Sequence, residues 1–339
     1  MKRFFLLLAV VGMLFTACSE AGTTEQPTPT EPEYVTVSLG LNVGLDYGYE
    51  PLSRAEENND LYGIQVYSTP VPATENAQWT KYAYGLFDST DNLTIKLIRG
   101  YEYKFVATMV KDGKDKINVS SYDETYSFPF IHQTAPGTTT STPLSLSFIY
   151  DQLGLSSLDR GQTILKNSIN STSVDHPNTE RYYGELEGYI PGDNDSKATI
   201  ELKRTSFGAK YKVTGDYAGN GTLEILMDSA PQLNLNLAES NEVSEIYTFK
   251  NVRAAWLDEN YTETISVVLR IAYSDGTTAP LGTHNITFKR NTTTVVNVDL
   301  TVGGENGVGF VVTDGGEMPE GDEVTIKDGE IVDTEIETK

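Results

Sequence analysis

Few side chains in this 339-residue chain have the type and spacing that chemistry requires. Cys18 is the single thiol and closes an apolar N-terminal run, a position where it can accept an acyl chain. Once it is acylated no thiol remains for a disulfide, a zinc-thiolate site or a cysteine nucleophile. The histidines, His132, His176 and His284, fall in three different regions without ligand-spaced neighbours, so each reads as a surface or loop residue. No GxSxG elbow, HExxH pair or phosphate-binding loop occurs. Carboxylates are plentiful, so a pair could meet in space as glycoside hydrolysis requires, but no spacing singles one out. Gly192-Asp193-Asn194-Asp195 carries the oxygen donors of a calcium loop, although such a run more commonly makes a turn. Trp79 and Trp256, with 20 tyrosines, could form a sugar-stacking platform. Cross-strand pairing is the favoured use of the same residues. The inventory points to a chain that binds or builds, that is not an enzyme, and that needs no cofactor and no metal.

What must position these residues begins with a leader. Lys2 and Arg3 precede an unbroken apolar run, Phe4 to Phe15, followed by Thr16-Ala17-Cys18. This is the layout of an export signal over residues 1–17. Phe15-Thr16-Ala17-Cys18 resembles the bacterial lipobox, whose cysteine is lipidated, with Phe15 where Leu is usual. The run is far shorter than the roughly 20 residues that span a bilayer as a helix. The formal net charge is −23, and losing Lys2 and Arg3 with the leader takes it to −25. Such a surface disfavours nucleic acid and anionic lipid.

Residues 18–33, rich in Pro and Thr, read as a tether. Beyond them the sequence predicts an all-β fold: two tandem Greek-key-type β-sandwich domains, an N-terminal lipoprotein signal and an acidic C-terminal tail. In the first strand Val35, Val37, Leu39 and Leu41 alternate with Thr36, Ser38, Gly40 and Asn42. Residues 43–59 lack periodicity and read as an exposed loop. Strand-like segments follow at 61–67, 82–87, 93–98, 101–110, 122–131 and 144–150, giving a first sandwich over 34–150. Arg99-Gly100 reads as a tight hairpin joining two of them. Residues 151–180 are expected to be a linker with a possible short helix. A second sandwich is expected over 181–302.

The tail, 303–339, holds eleven acids and two lysines. It can be a disordered acidic segment or a strand awaiting a groove. Asp328-Gly329 is a two-residue hairpin signal, and Val332, Thr334 and Ile336 alternate with Asp333, Glu335 and Glu337.

YVTVSLGL at 34–41, PLSRAEENN at 51–59 and DLYGIQVYS at 60–68 together resemble the start of the fimbrillin family, the type V pilus subunits and related surface lipoproteins of Gram-negative anaerobes. RYYGE from Arg181 and FKRN from Phe288 fit related surface lipoproteins with less specificity. The resemblance covers most of the chain in layout and about 35 residues in motif. It implies a cell-surface lipoprotein, anchored to the outer membrane through Cys18, that serves as a structural or adhesive fimbrial subunit. It also implies cleavage by an Arg-specific protease between Arg54 and Ala55, releasing the lipid together with the strand bearing Val35, Val37, Leu39 and Leu41. The C-terminal segment of another subunit then fills the vacated groove, and Val324, Ile326, Val332, Thr334 and Ile336 are the candidate donor residues here. The implied partners are other fimbrial subunits, with host or bacterial surface receptors possible, and the implied location after processing is the fimbrium. An uncut anchor or accessory subunit is the variant within the family. The alternative outside it is a carbohydrate-binding outer-membrane lipoprotein of a glycan uptake system.

Overall fold

The computed structural model describes residues 32–43, 59–72, 78–192, 197–215 and 221–300, together with the backbone of three strands in 309–332. The described elements begin with β1 (Tyr34–Val43), β2 (Leu61–Pro70), β3 (Thr80–Phe87), β4 (Thr94–Ile98) and β5 (Tyr101–Val110). There follow a helical turn, α1 (Gly113–Lys116), and the shorter strands β6 (Tyr126–Ala135), β7 (Thr138–Thr142), β8 (Leu155–Ser156), β9 (Thr163–Ile164) and β10 (Ser173–Val174). The chain then returns as β11 (Arg181–Tyr189) and β12 (Lys197–Arg204). One sheet runs β3-β2-β5-β11-β12-β1-β4. It doubles over where β11 meets β12, a short pairing at Tyr182–Arg204 and Tyr183–Lys203. Val37, Leu39, Ile95, Leu97, Ile200 and Leu202 from β12-β1-β4 thereby share a core with Ile64, Val66, Phe105 and Ala107 from the facing strands.

The two layers differ in a way their sequences explain. Lys197 to Leu202 alternates exposed and buried residues, as expected of a strand with one wet face. Leu61 to Val66 is buried at every position, and so is Phe105 to Val110. The outer face of β2 and β5 is roofed by the insertion between β5 and β11. There Ile117, Phe130, Leu155 and Leu158 pack on Leu61, Val106, Val110 and Tyr183.

The second sandwich uses β13 (Ser206–Thr214), β14 (Thr222–Met227), β15 (Leu233–Asn236), β16 (Glu242–Thr248), the helix α2 (Val252–Leu257), β17 (Thr262–Ala272), β18 (Thr278–Lys289) and β19 (Thr292–Asp299). The tail adds β20 (Gly309–Glu317), β21 (Glu323–Lys327) and β22 (Glu330–Val332). The sheets are β16-β13-β19-β20-β21-β22 and β15-β14-β17-β18. Phe207 lies at the centre of the core between them, 4.6 Å from the ring of Phe288, 4.7 Å from Phe249 and 5.7 Å from Tyr247. Both sandwiches contain a parallel pair, β1 beside β12 and β13 beside β19.

The all-β reading agrees with the structure, and several finer expectations do not. The expected start of the second sandwich at 181 falls inside the first sheet, because β11 and β12 occupy its middle; the second set of sheets begins at Ser206. Strand alternation cannot say which sheet a strand joins. Residues 151–180 are a packed wall and not a linker, with three two-residue strands and a 3-10 turn at Ile169–Ser171. Arg99-Gly100 turns the chain, with Gly100 at φ 80, but β4 and β5 do not pair. The turn carries the chain from one layer to the other, so β4 pairs with β1 and β5 with β2 and β11. Residues 144–150 form no strand; they touch β3 through a bridge between Tyr84 and Ile149. Residues 122–125 precede β6, which lies in the small sheet β7-β6-β8.

Candidate functional site

Two places concentrate the residues singled out above. The first is the seat of β1. Residues 34–38 pair antiparallel with β4, and residues 38–43 pair parallel with β12, the exchange occurring at Ser38. Val37 and Leu39 are buried in the core, while Val35 and Leu41 pack partly against it. Thr36 and Ser38 face solvent. β4 ends the sheet, and β1 is its strand neighbour. On its other edge the backbone is capped by tyrosines. Tyr82 donates its hydroxyl to Lys96 O at 2.7 Å, and Tyr150 accepts from Lys96 N at 2.8 Å. Tyr103 accepts from Ile98 N at 2.7 Å and donates to Ile98 O at 3.1 Å. The three rings stack edge to face, Tyr82 lying 5.2 Å from Tyr103 and 5.5 Å from Tyr150. Burial pushes the Tyr103 hydroxyl up to about 12, so it stays a donor throughout the physiological range. Part of the tyrosine richness is thus spent on blocking an open sheet edge and tying β4 to the opposite layer.

The second place is a cleft of about 260 Å³ over the outer face of β2, β5 and β11. The pairing of the strands sets its floor: Gln65 stands opposite Val106 and Val106 opposite Glu185, with Tyr67 opposite Lys104 in the next row. Leu155 to Asp159 form one wall, and Arg253 on α2 and Trp79 ahead of β3 complete it. α2 is started by Asn251, whose side chain accepts from Ala254 N at 3.0 Å, the usual asparagine cap. The wall is held by Arg181, which is fully buried and donates to Leu158 O at 2.8 Å, Arg160 O at 2.6 Å and Thr108 Oγ1 at 2.9 Å. Burial lowers its guanidinium from the usual arginine range, with Asp159 and Tyr183 opposing. Gly154 turns the wall at φ 46; a Cβ there would lie 2.1 Å from Gln65 Oε1, so only glycine fits.

Glu185 is the electrostatic centre of the cleft. It receives Lys104 at 2.7 Å, Arg253 at 2.5 Å and the Tyr183 hydroxyl at 2.6 Å. Burial opposes its charge, but these three bonds outweigh burial and hold the carboxyl down at about 2. Lys104 also reaches Glu187 at 3.1 Å. The cations are therefore already neutralised.

The two tryptophans form neither the favoured cross-strand pair nor a common platform. Trp79 lines the cleft, whereas Trp256 packs edge-on beneath Tyr183 with 5.6 Å between rings. The histidines are dispersed, as their spacing suggested. His132 stacks on Tyr84 and contacts Thr142 Oγ1 at 3.1 Å, and His284 lies on β18. His176 lies in a loop, as expected, but is buried, with Nδ1 2.9 Å from Asp228 O and Nε2 3.1 Å from Glu263 Oε1. Among the described residues no cluster of His, Cys, Asp or Glu is suited to a metal ion. Cys18, Arg54, Ala55, Asp193, Asn194, Asp195, Thr334 and Ile336 lie outside the described residues. Val324 and Ile326 lie on β21, which pairs with β20 with Val324 opposite Val312 and Ile326 opposite Phe310, and Val332 lies on β22, which pairs with β21 with Val332 opposite Thr325. Sequence reasoning missed the cleft, whose parts are up to 188 residues apart, and the tyrosine cap. The β2 pattern offered one signal, a glutamine in the apolar stretch Leu61 to Val66.

No protein-family model and no curated protein matches the chain. Among solved structures it is similar to a fimbrial assembly protein from Parabacteroides distasonis at 13% identity and a TM-score of 0.35, over 84% of this chain and 97% of that one. It is also similar to the fimbrial anchor protein Mfa2 from Porphyromonas gingivalis at 8% identity and a TM-score of 0.38, over 83% and 97%. A third is the C-terminally truncated tip fimbrial protein Mfa3 of the same organism, at 10% identity and a TM-score of 0.30, over 83% and 100%. Likenesses this distant carry no role over to the present chain.

Proposed function

We propose that this chain is a lipid-anchored, non-catalytic cell-surface subunit of fimbrial or adhesive type, assembled by strand exchange after a cut between Arg54 and Ala55. The observation that carries the reading is the seat of β1, an N-terminal strand wedged between β4 and β12 and separated from β2 by the segment that contains Arg54. A cut there detaches the strand from the rest of the chain, and Cys18 with its lipid leaves alongside. What stays behind is a slot with backbone groups of β4 on one side and β12 on the other, floored by core residues. The tyrosine cap keeps β4 attached to the opposite layer, so the slot has two walls for an incoming strand. Residues 324–337 of another subunit are the proposed donor, which must first leave its own sheet at β20. Burying two or three medium apolar side chains at about 1.5–3 kcal/mol each and forming hydrogen bonds worth about 0.5–1.5 kcal/mol each offsets the ordering of the donor. In this reading the protein resides on the outer membrane and then in the fimbrium, with other subunits as partners.

The test is limited digestion of the full chain with an Arg-specific protease, read by intact mass and N-terminal sequence. Selective cleavage after Arg54, abolished in Arg54→Ala, is expected; the same processed species from Arg54→Ala removes the idea. A chain ending at Val302 should be cut normally yet fail to form filaments by electron microscopy. A second reading, a carbohydrate-binding lipoprotein serving glycan uptake, is favoured by the cleft lined with Trp79 and Tyr67.

A further inference from the structure

We propose that the cleft between β2, β5, β11 and the 155–159 wall binds a single ring of a neutral saccharide, the rest of the glycan running out over the surface. Its polar groups fall into two sets. Lys104 and Arg253 are occupied by Glu185 and Glu187. The remaining groups are chiefly acceptors. Gln65 is 1% exposed; its Nε2 donates to Val66 O at 2.8 Å and Ala83 O at 3.1 Å, while its Oε1 has no hydrogen-bond partner among the described residues. Ser156 Oγ is likewise buried without a partner. The Asp159 carboxylate lines the same cleft and lies within ion-pair distance of no cation among the described residues. An unpartnered buried acceptor is costly, and a ligand rich in hydroxyl donors relieves that cost.

Charge and size narrow the class. Lys104 and Arg253 balance Glu185 and Asp159, so the lining has no net charge to select an anion or an amine. Trp79 and Tyr67 supply flat apolar surface of the kind that covers the C–H face of a pyranose. A volume of about 260 Å³ is below the roughly 300–1,000 Å³ typical of pockets for larger ligands. It suits one ring. Arg181 acts behind the site as a positioning residue, fixing the wall through Leu158 O and Arg160 O.

This site needs neither the cut at Arg54 nor the tail, so its failure and the failure of strand exchange are separable. The uncut full chain is screened on an array of neutral, acidic and amine-bearing glycans. The retained glycan is then titrated against Trp256→Phe, in which Trp79 is the only tryptophan reporter, and by calorimetry against the unmodified chain. Retention of neutral glycans is expected, with a change in Trp79 emission on binding. Trp79→Ala should weaken affinity by about tenfold or more. Ser156→Ala should weaken it several-fold while melting as the unmodified chain does, and Asp159→Asn should weaken it several-fold with a lower melting point, because Asp159 also supports the charge of buried Arg181. The proposal is overturned if no neutral glycan is retained, if only acidic or amine-bearing glycans are, or if Trp79→Ala binds equally well.

Discussion

The two sandwiches contain similar strands but are closed in opposite ways. In the first, one layer is β12-β1-β4, and its middle strand is the N-terminal segment of the described chain. In the second, β13 and β19 sit mid-sheet, and the C-terminal strands add only to the β19 edge. Removing one end of the chain empties the middle of a layer; removing the other peels strands from a rim. A sandwich whose middle strand is terminal can give that strand up and accept another in its place. One that keeps its middle strands internal serves as a permanent body.

The sharpest way to break this contrast is to take away β1. Val37 and Leu39 at about 1.5–3 kcal/mol each, with partial burial of Val35 and Leu41, make its loss worth at least about 4 kcal/mol before hydrogen bonds. That approaches the whole stability of many domains, about 5–15 kcal/mol. Val37→Asp should therefore unfold the first sandwich while leaving the second protected, as read by hydrogen exchange in β4 and β12 against β14 and β17; uniform protection in both would refute the asymmetry. Next in size is Arg181→Ala, which removes three hydrogen bonds, takes the donor from Leu158 O and Arg160 O, and should cost about 3–5 kcal/mol in denaturant unfolding. Truncation after Val302 should cost no more than about 1–2 kcal/mol, since only an edge is lost; a larger loss would make the tail part of the permanent body.

The smallest effects concern pH, where the sandwiches respond in opposite directions. The Glu185 carboxyl is held down at about 2 against 4.5 when unfolded. Its contribution is present above pH 4.5 and is lost as pH falls toward 2. Burial of His176 lowers its affinity for a proton, but bonding to Glu263 and Asp228 O outweighs burial and raises it above 6.5. Its contribution is full below pH 6.5 and is lost as pH rises through the raised value. Melting curves of Glu185→Gln should flatten the acid limb, and those of His176→Phe the neutral-to-alkaline limb. Crossed or absent effects would contradict these assignments.

How legible each part was depends on the range of the interaction behind it. The alternation in Tyr34 to Leu41 and Lys197 to Leu202 marks strands with one wet face, because side-chain direction in a strand repeats every two residues. Nothing local marks β12 as the parallel neighbour of β1, more than 150 residues earlier, or sends the Arg99-Gly100 turn across the layers. Leu144 to Tyr150 looks like a strand by composition, yet its hydrogen bonds to β3 are those of a bridge between Tyr84 and Ile149 and those between Ser145 and Leu86. The cleft was less legible still. Gln65, Trp79, Asp159, Glu185 and Arg253 meet only because the 151–180 segment packs as a wall and α2 reaches across from the second sandwich.

The amino-acid sequence by itself determined the strand character of the chain, the apolar N-terminal run closed by Cys18, the acidic balance and the absence of the common catalytic motifs, since each is a matter of composition or short-range pattern. Tertiary structure alone decided which strand lies mid-layer, where the first sandwich ends, and which polar groups are left buried without partners. Those outcomes follow from pairing and packing between segments far apart in the chain, where the free energy of closing a sheet outweighs anything a local run of residues prefers.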